Sequence, residues 1–376
     1  MPSTQPSTPA ERVRQALRRE QPTETPFTWG FGPNAGTRRK LLAHFEPQGI
    51  DWDILRRETE DVVSVYPDYI GDRVPQGTPD YMGIWGIRTK SVDYGEDRYD
   101  DEIAFNPLAE TEDPQAYDDY EWPQVEEFDY QVIAAQLAQN DPEGHRALRL
   151  GGGNPFEIYC WMTGMEEAMM NLVAEPELVE AGLMHINRFF KAHLEKTIEA
   201  LPAGRRVDLV QIADDLGMQS GPLISGESYR SVIQPFHRDL CEHIRGLLPG
   251  AVISHHSDGS VFRLLPDLLD ADVQMLEAVQ VECADMDPRK LADAFGDRLM
   301  FQGAISVQQL LPHATPGQVR TAVRDLISIL GQNGGYLPAP SHAIQVGTPP
   351  ENILAMLEEV LGEERFAGAI EAARHK

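Results

Sequence analysis

Several stretches of this chain end on residues that can ligate a metal or move a proton. "VDLVQIADD" closes on Asp214 and Asp215, "AVISHHSDG" on His255, His256, Ser257 and Asp258, and "VQMLEAVQVEC" on Glu282 and Cys283. "RLMFQGAIS" runs through Gln302, "GGYLPAPSH" ends on Ser341 and His342, and Asn154 follows the glycines of "RALRLGGG". Imidazoles, a thiol and carboxylates are the donor types that zinc takes. No compact motif such as HExxH gathers two of them on one helix. Each residue also has an ordinary structural reading. Asp258 precedes Gly259, and Asp before Gly is a common turn residue. His255 and His256 are adjacent, so in a strand they point to opposite faces and only one can serve a given site; His256 is assigned inward. Cys283 reads equally as a small buried hydrophobe. His342 follows Pro338 and Pro340 in a stiff extended loop, where a histidine can stand by chance. Asp214 and Asp215 could cap the segment that follows them.

The elements that must position these residues are short apolar runs. "TPFTWGF" and "DVVSVYP" precede the six runs named above, which makes eight. Between the later ones lie helical patterns such as "GESYRSVIQPFHRDLCEHIRGLL" and "PGQVRTAVRDLISILGQ". Strands alternating with helices predict a parallel sheet, and eight such units predict a single (β/α)8 TIM-type barrel, with its site at the carboxyl ends of the strands. An open doubly wound sheet is the alternative, but no GxGxxG follows a strand. Residues 1–24 form an N-terminal extension, Pro/Ser/Thr-rich and frayed over 1–9, with a short helix over 10–19. Residues 25–376 form the barrel. Residues 72–130 break its rhythm: from Asp93 to Asp129 there are 15 acidic residues and one arginine, Arg98. They are read as an acidic excursion.

The chain has 376 residues, 41% hydrophobic, and a net charge of −28. That charge repels nucleic acid and anionic membranes, and it repels polyanionic substrates unless a basic pocket is set aside for them. Cys160, Cys241 and Cys283 form no CxxC pair, which fits a reducing, cytoplasmic setting without a disulfide framework. The N-terminus lacks the apolar segment of a secretory signal, and no run is long enough to span a membrane. "EIYCWMTGMEEAMMNL" fits a homodimer face and fits helix core equally well.

The later segments resemble the uroporphyrinogen decarboxylase superfamily, which includes cobalamin-linked methyltransferases. They are "EEAMMNLVAEPELVEAGL", "IADDLGMQSGPLISGESYRSVIQPFHRDL", "HSDGSVFRLLPDLLDADVQMLEAVQ", "MDPRKLADAFGDRLMFQGAIS" and "GGYLPAPSHAIQVGTPPENILAMLE", over roughly residues 145–360. "FNPLAETEDPQAYDDYEWP" also fits the family's lead-in. The family fold is an α/β barrel. In the decarboxylase branch, arginines of a Met-Arg-Gln-Ala-Gly-Arg-Tyr motif hold substrate carboxylates. Here the matching strand leads into "TWGFGPNAGTRRK", which lacks the motif but keeps Arg38 and Arg39 nearby. Tyr159, Ser225 and His342 roughly match cleft residues of that branch. The methyltransferase branch binds zinc through a His-x-Cys-Gly element and a late cysteine in a Gly-Gly-Tyr loop. This chain has His256-Ser257-Asp258-Gly259 at the first place and His342 at the second.

The resemblance thus implies a metal set of His256, Asp258 and His342, with Cys283 as a source of one sulfur. A harder N/O site suits an oxygen substrate such as a methyl ether. The leading expectation is zinc-assisted methyl transfer from a small O-methyl substrate to a corrinoid on a partner protein. Asp215 or Glu282 would handle protons, with Tyr159 beside them, while Trp161, Asp214, Ser225 and Gln302 would contact substrate. The alternatives are cofactor-free decarboxylation of the uroporphyrinogen type, with Asp214 or Asp215 as charge partner, and a non-catalytic ligand-binding barrel.

Overall fold

The computed structural model describes residues 7–72, 80–95 and 99–374. Parts of the expected extension and of the acidic excursion, Arg98 among them, lie outside the described residues. Seven parallel strands form one curled sheet in chain order: β1 (Val62–Ser64), β2 (Ala147–Gly153), β3 (Leu209–Ala213), β4 (Val252–His256), β5 (Met275–Val279), β6 (Met300–Ile305) and β7 (Tyr336–Pro340). Each corresponds to one of the apolar runs read in the sequence. The run around "TPFTWGF" supplies the remaining stave without a regular ladder. Thr28 N donates to Pro338 O of β7 at 3.2 Å, and Asp61 N, just before β1, donates to Phe27 O at 3.0 Å. Pro33 also bridges Ile344 in parallel. The architecture is therefore α/β and of the (β/α)8 barrel type.

Alternation along the strands divides side chains between the barrel interior and the helical layer. The lowest inner layer is apolar: Val62, Ala147, Leu209, Val252, Met275, Met300 and Leu337 pack with Ala10 and Val13. Those last two belong to helix α1 (Pro9–Leu17), opened by a capping box between Thr8 and Glu11. Part of the expected N-terminal extension thus closes the barrel floor. Arg12 of α1 pairs with buried Asp61 at 2.7 Å, and Asp61 also meets Arg365 at 3.3 Å. Above the floor the inward positions turn polar, with Arg149, Gln211, Glu277 and Gln302.

The outer layer includes α2 (Trp52–Thr59), α3 (Pro155–Thr163), α4 (Pro176–Glu199), α5 (Gln234–Leu247) and α6 (Glu363–Ala373). The acidic excursion lies between β1 and β2, and its antiparallel strands are Asp80–Met82, Arg88–Asp93 and Tyr99–Phe105. It is anchored by aromatic packing. The Trp85 ring is 5.0 Å from Phe189 and 5.6 Å from Phe190, both on α4. The Met-rich stretch splits in two. Phe156 to Met162 is mostly buried in α3, whereas Met165 and Met170 are about half exposed. Among the described residues, no helix is long and apolar enough to cross a membrane.

Candidate functional site

The loops after β3 and β4 touch over the carboxyl end of the sheet. Ser260 N donates to Met218 O at 2.8 Å. A Cβ on Gly217 would lie 2.5 Å from the Asp258 carbonyl oxygen, and Gly259 has a φ of +78°. Only glycine permits both the contact and the left-handed turn at low cost. The approach sets Asp258 beside Asp215, whose Oδ1 accepts from Asp258 N at 2.8 Å. His256 ends β4 in the same place. One ligand atom from each of Asp215, His256 and Asp258 falls within 4.8 Å of the others. His256 Nε2 is 3.8 Å from Asp215 Oδ1 and 3.9 Å from Asp258 Oδ1. His342 joins from the loop after β7, its Nε2 3.6 Å from Asp258 Oδ2.

The donors are held from behind. His256 Nδ1 donates to Glu277 Oε2 at 2.5 Å, and Gln211 Nε2 donates to the same oxygen at 2.9 Å. Because the carboxylate accepts at Nδ1, His256 presents Nε2 to the acidic pair. A carboxylate behind an imidazole is the arrangement that orients metal-binding histidines. Gln280 Nε2 donates to Asp258 Oδ1 at 3.0 Å, while its own oxygen accepts from Gly259 N at 2.8 Å. Burial works against charge on His256, but Glu277 wins, with Asp258 and Asp215 adding to it, and lifts the imidazole to about 9. Burial likewise pushes Glu277 up, yet the adjacent imidazolium brings it below the ordinary carboxylate range. Asp258 is raised, mainly by burial. Concentrated carboxylate charge around one imidazole is what a divalent cation would neutralise. Two oxygens and a fixed imidazole nitrogen fit such an ion without a thiolate.

These groups open into a cleft of about 530 Å³. Its walls include Phe31, Tyr66, Arg149, Glu157, Trp161 and Phe190. Phe31 stacks on His342 with centroids 4.8 Å apart. Glu157 stands in the first turn of α3 and accepts from Asn154 Nδ2 at 2.7 Å. Burial first, with Asp214 and Asp215 nearby, raises its pKa to about 7. A carboxyl with that value can both give and take a proton at neutral pH. His193, also on the wall, is pushed down to about 4 by burial and bonds Tyr130 Oη at 2.9 Å.

Of the expected site residues, the structure brings together Asp215, His256, Asp258, His342 and Trp161. The others stand elsewhere. Cys283 is buried, with Sγ directed to Gln219 and Gln280 at 3.4 and 3.6 Å, so its sulfur is outside the donor cluster. Glu282 bonds Ser306 and lines a separate groove of about 660 Å³ on the helical side, because it follows β5 on the outward turn. Tyr159 is fully buried against Tyr117; Trp161, two residues on, is the α3 aromatic that reaches the cleft. Asp214 is also fully buried. It accepts from Phe156 N and Glu157 N at 3.1 and 2.6 Å and pairs with His237 at 2.7 Å, so it holds the start of α3. Ser225 caps a short turn at the surface. Gln302 is buried within β6, off the cleft wall. His255 turns outward toward His237, with ring centroids 5.2 Å apart.

Glu277, Gln211, Arg149 and Glu157 were not singled out from the sequence. A signal existed for three of them: a charged or amide side chain in the middle of an apolar strand is rarely buried without a partner. Glu157 carried none, since a glutamate in the first turn of a helix is ordinary.

In α/β barrels the carboxyl end of the sheet is where sites are built, and the acidic and imidazole donors of this chain stand there. Residues 91–362 match the uroporphyrinogen decarboxylase (URO-D) family model, and the chain belongs to that family. It is 25% identical over 254 residues to the uroporphyrinogen decarboxylase of Paraburkholderia phytofirmans, covering 65% of this chain and 64% of that protein. It is also 25% identical over 204 residues to the methylated-thiol–coenzyme M methyltransferase of Methanosarcina mazei, covering 54% of this chain and 49% of the relative. The chain thus spans less than two thirds of the length of either curated relative. Among solved structures, a methyltransferase from Methanosarcina mazei superposes with a TM-score of 0.61 at 17% identity, over 94% of this chain and 98% of that one. At that identity the likeness establishes the fold.

Proposed function

We propose that this protein is a metal-dependent methyltransferase acting on a small O-methyl substrate. The observation that carries the reading is the Asp215, His256 and Asp258 cluster, with Glu277 fixing the imidazole from behind. Those three would hold the ion, and His342 stands where it can join them. A bound divalent cation such as zinc supplies Lewis acidity toward an ether oxygen. Without a thiolate, the donor set favours oxygen over sulfur substrates.

The chain's own residues account for the rest. Trp161 and Phe190 offer apolar wall to the substrate body. When a nucleophile takes the methyl group, the carbon–oxygen bond breaks with its electron pair on oxygen, and that oxygen needs a proton. Glu157 faces the same cleft with a pKa near 7 and supplies it. The methyl acceptor would be a corrinoid carried by a partner protein. Phe31 and Tyr66, exposed by 52% and 59%, give the cleft an apolar rim against which such a partner can sit.

Decarboxylation of a polycarboxylate is less well supported. Arg38, which stood in for the missing arginine motif, is tied to Asp53 outside the cleft. Among the described lining residues, Arg149 is the one arginine or lysine, and the same lining carries Glu157 and Asp215. Metal analysis of untagged protein tests the proposal: about one divalent ion per chain is expected, lost in His256→Ala. Demethylation of methyl ethers should then depend on that ion and on a corrinoid acceptor. Full activity after metal removal, or turnover of uroporphyrinogen instead, would sink the proposal.

A further inference from the structure

A third cavity, of about 570 Å³, lies on the barrel wall between the irregular stave and β1. Its lining holds Arg38, Arg56, Arg57, Arg146 and Arg149, against two carboxylates, Asp53 and Glu60. In a chain of net charge −28 this is a reversal of sign. The carboxylates do little to cancel it. Asp53 is taken by Arg38. Glu60 accepts from Trp29 N and Val62 N, both at 3.0 Å, and its burial raises its pKa. Arg146 donates to three backbone carbonyls, of Glu60, Asn140 and Arg57, which carry no charge. Its nearest carboxylate, Asp141 at 3.7 Å, is engaged more closely by Arg205 at 2.6 Å. Arg57 is 3.7 Å from Glu58 at the surface. Arg149 donates to Ser64 Oγ at 3.0 Å and stands near the Glu60 and Glu277 carboxylates, whose charged forms it favours, so Arg56 and Arg57 carry most of the free charge.

We infer that this groove is an oxyanion-binding site, separate from the acidic cluster, that takes a phosphate or carboxylate group between Arg56, Arg57 and Arg149. Guanidinium groups bind both anions through paired, charge-assisted hydrogen bonds. Ser64, whose Oγ accepts from Arg149, adds a hydroxyl donor on the same lining. Arg149 and Tyr66 line this groove and the cleft alike, so an anion seated here lies next to the substrate cavity. The inference does not depend on the metal or on the reaction proposed above.

Calorimetric titration of the full chain with sodium phosphate, and separately with sodium malonate, at constant ionic strength tests it. Saturable binding of at least one anion is expected. The double variant Arg56→Gln/Arg57→Gln should weaken it about tenfold or more. These two residues serve the fold through their carbonyls, which accept from Trp29 and Arg146, so the variant keeps its structure. His256→Ala should leave anion binding unchanged, which separates the groove from any anion held in the cleft. Tighter phosphate binding marks a phosphate ligand, and tighter malonate binding marks a carboxylate. Heat that never saturates, or saturable binding that survives the double variant, overturns the site.

Discussion

Glu157 and His256 share one cleft and are driven in a common direction for different reasons. His256 is held charged by the carboxylates around it, whereas Glu157 is held neutral chiefly by burial. The consequence for stability can be worked out for Glu157. Its folded pKa, about 7, lies above its ordinary value of 4.5, so between those limits the folded chain keeps a proton that the unfolded chain has released. Stability therefore falls as pH rises across that window and stays lower above it. Glu157→Gln removes this penalty. Its Tm should exceed that of the parent at pH 8, with a smaller difference at pH 5, by thermal unfolding at both. Equal differences at the two pH values would mean that Glu157 is not held neutral. In turnover assays the same variant should lose the pH limb near 7 and most of its rate, about 100-fold or more if general acid catalysis operates.

At the scale of elements, the site depends on two loops packed glycine to glycine. Gly259→Ala places a side chain in a left-handed turn and against the backbone at Gly217. It should cost about 1–3 kcal/mol in denaturant unfolding and weaken metal uptake, because Asp258 moves with its loop. A variant with parent stability and parent metal content would show that the loops are not locked this way. Asp214 acts on another element. By capping α3 it sets Glu157 and Trp161 on the cleft wall, so its effect on chemistry is one of position.

Across the whole molecule, Asp61 ties together parts far apart in sequence. It accepts from Arg12 of α1, from Phe27 N in the irregular stave at 2.9 Å, and from Arg365 of α6. Asp61→Ala leaves the half-buried Arg365 with the Thr25 carbonyl in place of a carboxylate, and buried Arg12 with Glu24 alone at 3.1 Å. The expected loss is about 3–5 kcal/mol in equilibrium unfolding, since an uncompensated buried charge costs more than the pair contributes. A loss under about 1 kcal/mol would mean that the floor and the stave hold without it.

The alternation of apolar runs and helical patterns was enough to specify the barrel and the end of it that carries chemistry. Strand period and burial act locally, and "AVISHHSDG" shows both the strand and its polar end. The same alternation separated inward His256 from outward His255. What it could not assign was which strand ends meet. Cys283 and Glu282 follow the expected strand but turn away from the cleft. Tyr159 and Asp214 have plausible side chains that the helical layer buries. Glu277 and Arg149 sit in apolar strands far from one another in the chain, and only barrel closure sets them around one interior. Residue type and spacing decide what a segment can be, whereas contact between segments depends on distances summed around the barrel, which no single segment contains.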